Sequence, residues 1–152
     1  MEDSIKMLDH RTDLATRQML ENVVKRKRKF DKAKSRHHMA IFATLAMASA
    51  FLAYLYTAVI NNYSYSFYAM FSAFFRKSAS IYFLVGTVSL YGLMTMLKEQ
   101  RDKKEKEYHD LRCEIVDRSK DLWKKEDEWK SRHIVFEMMK REFDINLYHE
   151  KK

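Results

Sequence analysis

A few residue groups in this chain have types and spacings that chemistry could use. His109 and Cys113 stand four apart, so on a helix both side chains reach toward one ion. Two ligands are too few, because zinc takes three or four from the protein. His133 and Glu137 repeat that spacing, and an ion pair or a solvated role is the simpler reading. His37 and His38 stand side by side with no further ligands in sequence. The strongest group is electrostatic. Lys25, Arg26, Lys27, Arg28, Lys29, Lys32, Lys34 and Arg36 fill eight of twelve positions, opposed only by Asp31. No Gly-rich phosphate loop and no nucleophile elbow occurs. The expectation is a chain with no catalytic residue, no metal site and no cofactor, and not an enzyme.

The elements that position these residues follow from composition. The 152 residues include no proline and two glycines, Gly86 and Gly92, so a few long helices with short connections are expected. One cysteine excludes an intramolecular disulfide. The net charge of +8 is unevenly spread: residues 1–38 carry +5, residues 39–75 carry none, Arg76 and Lys77 add +2, and residues 98–152 carry +1.

Met39–Ile60 is 22 residues without a charge, and Ser78–Leu97 is 20. At 1.5 Å per residue each reaches about 30 Å, the thickness of a hydrocarbon core. A buried soluble helix is disfavoured, since a chain this short lacks the surrounding apolar surface to cover it. A cleavable signal peptide is disfavoured too, because 38 residues precede the block and it continues past its small-residue sites. Neither span contains Asp, Glu, Lys, Arg or His, which argues against a proton path. The basic strip ends where the first span begins, and Lys98–Lys106 carries five cations after the second. The positive-inside rule then puts both termini in the cytoplasm and the connection outside. In that setting the strip is a topology determinant and a contact for anionic headgroups, worth about 1 kcal/mol per cation near the surface. Nucleic acid is disfavoured as a partner, since no recognition fold or interleaved aromatics accompany the strip.

The connection, residues 61–77, carries seven Tyr or Phe residues. Phe67, Phe71, Phe74 and Phe75 fall at helical spacing, which suggests a short helix in the outer interface. The alternative is that the first span continues through this stretch as a tilted helix. Ala43, Ala46, Ala50, Ala53 and Thr57 form a stripe of small side chains on the first span, and Gly86 and Ser89 form a patch on the second. Small residues let helix backbones approach in lipid. The simplest expectation is an antiparallel hairpin packed along these faces; the same stripe could instead join two chains, and spacing alone does not choose.

From Lys98 the chain is dense in Lys and Glu. Tyr108, Ile115, Leu122, Trp129, Phe136 and Phe143 recur every seven residues. This predicts a narrow apolar ridge against a neighbouring helix. The second seam position (Leu111, Arg118, Lys125, Arg132, Met139) is too polar for a full zipper. Fully helical, Lys98–Tyr148 would extend roughly 75 Å. The neighbour could be the amino-terminal helix, through Ile5, Leu8, Ala15, Met19 and Val23. Ile134–Tyr148, the most apolar part, either meets a partner or folds back on its own chain.

The opening LDHRTDLATRQMLENVVKRKRKFDKAKSRH, followed by two spans and a charged tail, resembles the YpbF-like family of small two-span bacterial membrane proteins. The resemblance implies a bacterial plasma membrane and transfers no site residue. The expected fold is all-α: a transmembrane helical hairpin with long cytoplasmic helices at both ends, partly coiled-coil-like. Its expected parts are a basic amphipathic helix (1–38), spans at 39–60 and 78–97, an aromatic external connection (61–77) and a cytoplasmic arm (98–152). The expected function is a non-enzymatic anchored scaffold in the cell membrane that meets a protein partner, or its own copy, through the arm. The alternatives are an oligomeric pore or transport subunit, and a lipid or nucleic-acid contact through Lys25–Arg36.

Overall fold

The computed structural model describes residues 3–8, 12–124 and 126–148. They are all-α: α1 (Asp3–Lys6), α2 (Leu14–Leu55), a π-helical turn (Tyr56–Ile60), α3 (Asn61–Tyr63), α4 (Phe67–Arg76), α5 (Ser78–Asp117), α6 (Ser119–Leu122) and α7 (Glu126–Phe143). Helices α2 and α5 contain 42 and 40 residues, about 60 Å each. They pack against each other. The described residues fall into two compact units, Met1–Lys32 with Asp102–Lys152, and Ala33–Arg101.

The first unit is a helical bundle around a conventional apolar core. Ile5 and Leu8 at the amino end, Leu20, Val23, Val24 and Phe30 of α2, and Tyr108 and Ile115 of α5 are buried there. Trp123, Val135, Phe136, Met139, Ile145 and Leu147 complete it. The Phe30 and Tyr108 rings stack with centroids 6.1 Å apart. Phe136 meets Trp123 edge to face at 5.5 Å, and Tyr148 in the same manner at 5.5 Å. Such pairs add about 0.5–1.5 kcal/mol beyond area burial.

Two features differ from a single amino-terminal helix and a single carboxyl-terminal arm. The first 38 residues hold α1 and then a new start at Leu14, where the Asp13 carboxylate accepts the Leu14 N–H at 2.7 Å. Residues 9–11, within that expected helix, lie outside the described residues, as do Lys125 and residues 149–152 of the arm. The arm is interrupted at Arg118 and again at Trp123, so it is α5, α6 and α7 with irregular backbone after Phe143. No proline or glycine causes these breaks. Turning the chain at Trp123 buries its side chain almost completely. The Leu122 carbonyl, left over where α6 ends, accepts a bond from Thr16 Oγ1 at 3.1 Å. Tertiary burial outweighs local helix propensity here. Of the two readings of Ile134–Tyr148, the structure has it folded onto its own chain, with Val135, Phe136, Met139, Ile145 and Leu147 inside the core.

The second unit is a hairpin of opposite character. Helix α2 pairs antiparallel with α5 through half-buried Thr44, Met47, Phe51 and Tyr54. Thr44 Oγ1 donates to the carbonyls of Ala40 (2.7 Å) and Leu90 (3.4 Å). Phe51 and Tyr54 stack on Phe83 at 6.0 and 5.2 Å. At the closed end the helix passes into the π-helical turn, where the Asn61 N–H bonds the Tyr56 carbonyl. The chain turns at Ser66 and Lys77, both extended, on either side of α4. So the first helical stretch continues to Tyr63, two residues beyond Asn61, before a separate short helix carries the aromatic residues.

Candidate functional site

The basic strip lies wholly on α2 and divides by environment. Lys25 pairs with Glu21 at 2.9 Å. Arg26 reaches Glu107 of α5, at 3.7 Å to the carboxylate and 3.3 Å to the carbonyl. Lys27 is half-buried, bonded to Asp31 at 3.1 Å and near Asp144 at 3.5 Å, with its ammonium 5.8 Å from the Phe30 and Tyr108 rings. Lys29, Lys32, Lys34 and Arg36 are exposed and have no ion pair among the described residues. Arg28 is also exposed. The strip is therefore part structural, through Arg26 and Lys27, and part open surface.

The charges in this region shift one another. Burial alone would pull the Lys27 ammonium down, but its bond to Asp31 and the charges of Asp31 and Asp144 outweigh that and raise it. Burial raises the Tyr108 phenol. The Lys25 ammonium holds the Glu21 carboxyl below its usual range, and Lys104 does the same for Glu107.

The small-residue stripe does not face α5. Ala43, Ala46, Ala50, Ala53 and Thr57 are all exposed, so the expectation that they join the two spans within the hairpin is corrected. The mating face lies around the helix from them, where Phe51, Tyr54 and Phe83 fill the gap with rings rather than letting backbones touch. On α5, Gly86 does face α2: a Cβ built there would stand 3.6 Å from Met47 Cε. Ser89 is exposed and takes no part, and a Cβ at Gly92 would meet open space.

All six ridge residues reach the core of the first unit, but not as one helical seam. Tyr108, Ile115 and Phe136 are buried, while Leu122, Trp129 and Phe143 pack on the core partly exposed. They come from three helices, so their common spacing is not a shared face. The Arg132 guanidinium lies 3.5 Å from the centre of the Trp129 ring. Beside it, Lys120, Trp123, Lys124, Glu126 and Trp129 line an open pocket of about 400 Å³.

Several positioning residues escape a reading of spacing alone. Thr16 and His37 are buried on α2, in line with Val23, Phe30 and Thr44 at intervals of seven. Their polar types hide the repeat. Lys77, counted above only as a charge, donates to the Ala58 carbonyl at 2.6 Å, and Asn62 Nδ2 donates to the Thr57 carbonyl at 2.9 Å. These are acceptors near the end of the helix that the π-helical turn interrupts. For the metal pairs, His109 lies 4.0 Å from Glu105, and His133 Nδ1 lies 2.8 Å from the Lys130 carbonyl. Among the described residues no group of three or more His, Cys, Asp or Glu gathers around a point.

Residues 19–150 match the family described as "Protein of unknown function (DUF2663)". The chain belongs to this family. It is also 35% identical over 152 residues to the uncharacterized protein YpbF of Bacillus subtilis (strain 168), with both chains covered in full. The likeness carried by residues 8–37 is thus one of family membership. No solved structure matches. The DUF2663 match takes in most of α2 and all of α3 to α7. It therefore includes both apolar stretches, the basic strip and the bundle core apart from Ile5 and Leu8.

Proposed function

We propose that this DUF2663 protein is a non-enzymatic, membrane-anchored interaction protein. In this reading α2 and α5 each cross a bilayer once. One observation carries it. Both helices are long and apolar enough to span, yet only 11% and 6% of their most apolar windows are buried. A core helix of a soluble protein would be covered by its own chain. Here Phe42, Leu52, Tyr82, Val88 and Tyr91 stand largely in the open, while Thr44 and Thr87 turn toward the pairing face. Lipid is the medium that accepts such an exterior.

The charge pattern supports an orientation with both termini in the cytoplasm and Asn61–Lys77 outside. The bundle is then the part offered to a protein partner. Because Ile115, Phe136 and Met139 are spent on its core, the partner would meet the polar surface around the Trp129–Arg132 stack rather than an apolar ridge. The test is labelling with a membrane-impermeant thiol reagent in intact cells. Asn62→Cys should react from outside and Cys113 should not, while both react after lysis. The reverse pattern overturns the orientation, and release of the protein by alkaline carbonate overturns the spans.

A second reading, an oligomer that forms a pore or serves a transport system, is favoured by the exposed Ala43–Thr57 stripe, which the hairpin leaves unused. Flux through liposomes carrying the purified protein distinguishes it.

A further inference from the structure

Lys25, Lys29, Lys32 and Arg36 are spaced four, three and four apart, which lines them along one face of a single helix. All four are exposed. Lys25 is held by Glu21, whereas Lys29, Lys32 and Arg36 have no ion pair among the described residues, although the charge of Lys29 also acts on the Glu107 carboxylate. Asp31, the one acid within the strip, is engaged with Lys27. The same alternation runs on through Met39 and Ala43, also exposed and uncharged. One helical face thus passes from three open cations to apolar surface within a few residues.

We infer that Lys29, Lys32 and Arg36 of α2 form a seat for the phosphate of an anionic phospholipid, whose acyl chains lie along the exposed apolar face that follows. The inference rests on the membrane reading above. Charge complementarity selects the occupant. The cations answer a phosphate, and the apolar continuation at Met39 and Phe42 answers acyl chains, which a nucleic acid does not carry. Each such cation near an anionic surface contributes about fivefold in affinity.

The test uses the full-length chain in detergent micelles, with retained phosphatidylglycerol and phosphatidylcholine counted by native mass spectrometry. The expected result is a phosphatidylglycerol preference on the order of tenfold or more. The triple variant Lys29→Gln, Lys32→Gln, Arg36→Gln should abolish it. Lys29→Arg with Lys32→Arg should keep it. A control of equal charge loss, Lys103→Gln, Lys106→Gln, Lys140→Gln, should keep it too, since those exposed cations lie off the row. A preference that survives the first triple variant, or that falls equally in the control, overturns the seat. Displacement by glycerol phosphate as readily as by lipid would make it an anion site only, and stronger competition by an oligonucleotide would assign it to nucleic acid. Both overturn the lipid seat. Alkaline extraction of each variant from vesicles is read separately. Release of every form refutes the spans, while loss of the preference alone leaves them standing.

Discussion

Asp144 shows how one residue in this chain holds two roles. It takes the left-handed conformation, φ 55°, just past the end of α7. Its N–H bonds the Lys140 carbonyl and the next N–H reaches the Met139 carbonyl, both at 3.1 Å, which closes the helix. Glycine does this without the steric cost a side chain brings there. Its carboxylate lies 3.5 Å from Lys27, but it is almost fully exposed, and an exposed pair contributes little. Asp144→Gly should therefore stabilise the bundle by about 0.5–1 kcal/mol, and Asp144→Val should destabilise it by about 1–2 kcal/mol. Urea unfolding followed by the emission of Trp123 and Trp129, both in the bundle, measures this. A loss of stability in the glycine variant would show that the ion pair matters more than the backbone. The pH dependence has a definite sign. Lys27 and Tyr108 both hold their protons more tightly folded than unfolded. Their contribution is full below the unfolded values near 10 and is lost as pH rises through the folded values. Glu21 and Glu107 have lowered values, so their small contribution is present above about 4.5 and lost as pH falls. Bundle stability should fall as pH rises above about 10, and Lys27→Met should lessen that fall. None of this was legible in sequence, because a raised lysine depends on which acids and rings the fold brings beside it.

The helices divide into those the sequence pattern describes and those it does not. The two apolar stretches and the short aromatic helix follow from charge-free runs and helical spacing, and α2, α5 and α4 contain them. The carboxyl-terminal turn at Trp123 had no local signal, since Arg118–Lys124 contains neither proline nor glycine. The ridge reading treated Trp129 and Phe136 alike, and the structure separates them. Phe136 is buried between Trp123 and Tyr148, so Phe136→Ala should cost about 3–5 kcal/mol. Trp129 is half-exposed and stacked on Arg132, so Trp129→Ala should cost about 1–2 kcal/mol. Equal costs in denaturant unfolding would mean that Trp129 is as enclosed as Phe136. In the hairpin, Ala46→Leu with Ala50→Leu should leave the pairing of α2 and α5 unchanged, because both positions face away from it. Gly86→Leu should disturb it through Met47. Disulfide trapping between cysteines at positions 44 and 90 reports both, and a strong effect of the alanine pair alone would return the stripe to the hairpin.

For the whole molecule the two units obey opposite rules for surface and interior. The bundle hides its apolar residues, and the hairpin displays them. Average composition conceals this, because 47% apolar and 33% charged describes neither part. The membrane reading makes one more demand: the exposed rings of α4, Phe67, Tyr68, Phe71 and Phe75, should sit at the headgroup boundary. A tryptophan at Phe71 should be quenched best by lipids brominated near the headgroup, and one at Leu52 best by lipids brominated deep in the chain. The same depth for both would remove the interfacial assignment of α4. The π-helical turn at Tyr56–Ile60 has a consequence of another kind. Such a turn is what an α-helix becomes when it absorbs one extra residue without breaking. A single-codon deletion there could leave a straight α-helix, but it would swing Asn61–Tyr63 by about 100° about the axis. That would carry Asn62 off the Thr57 carbonyl and realign Ala58 against Lys77. Losing a residue from this turn should therefore disturb the hairpin end more than changing one: the exposed Tyr56 and Thr57 can change type with less disturbance than either can be lost.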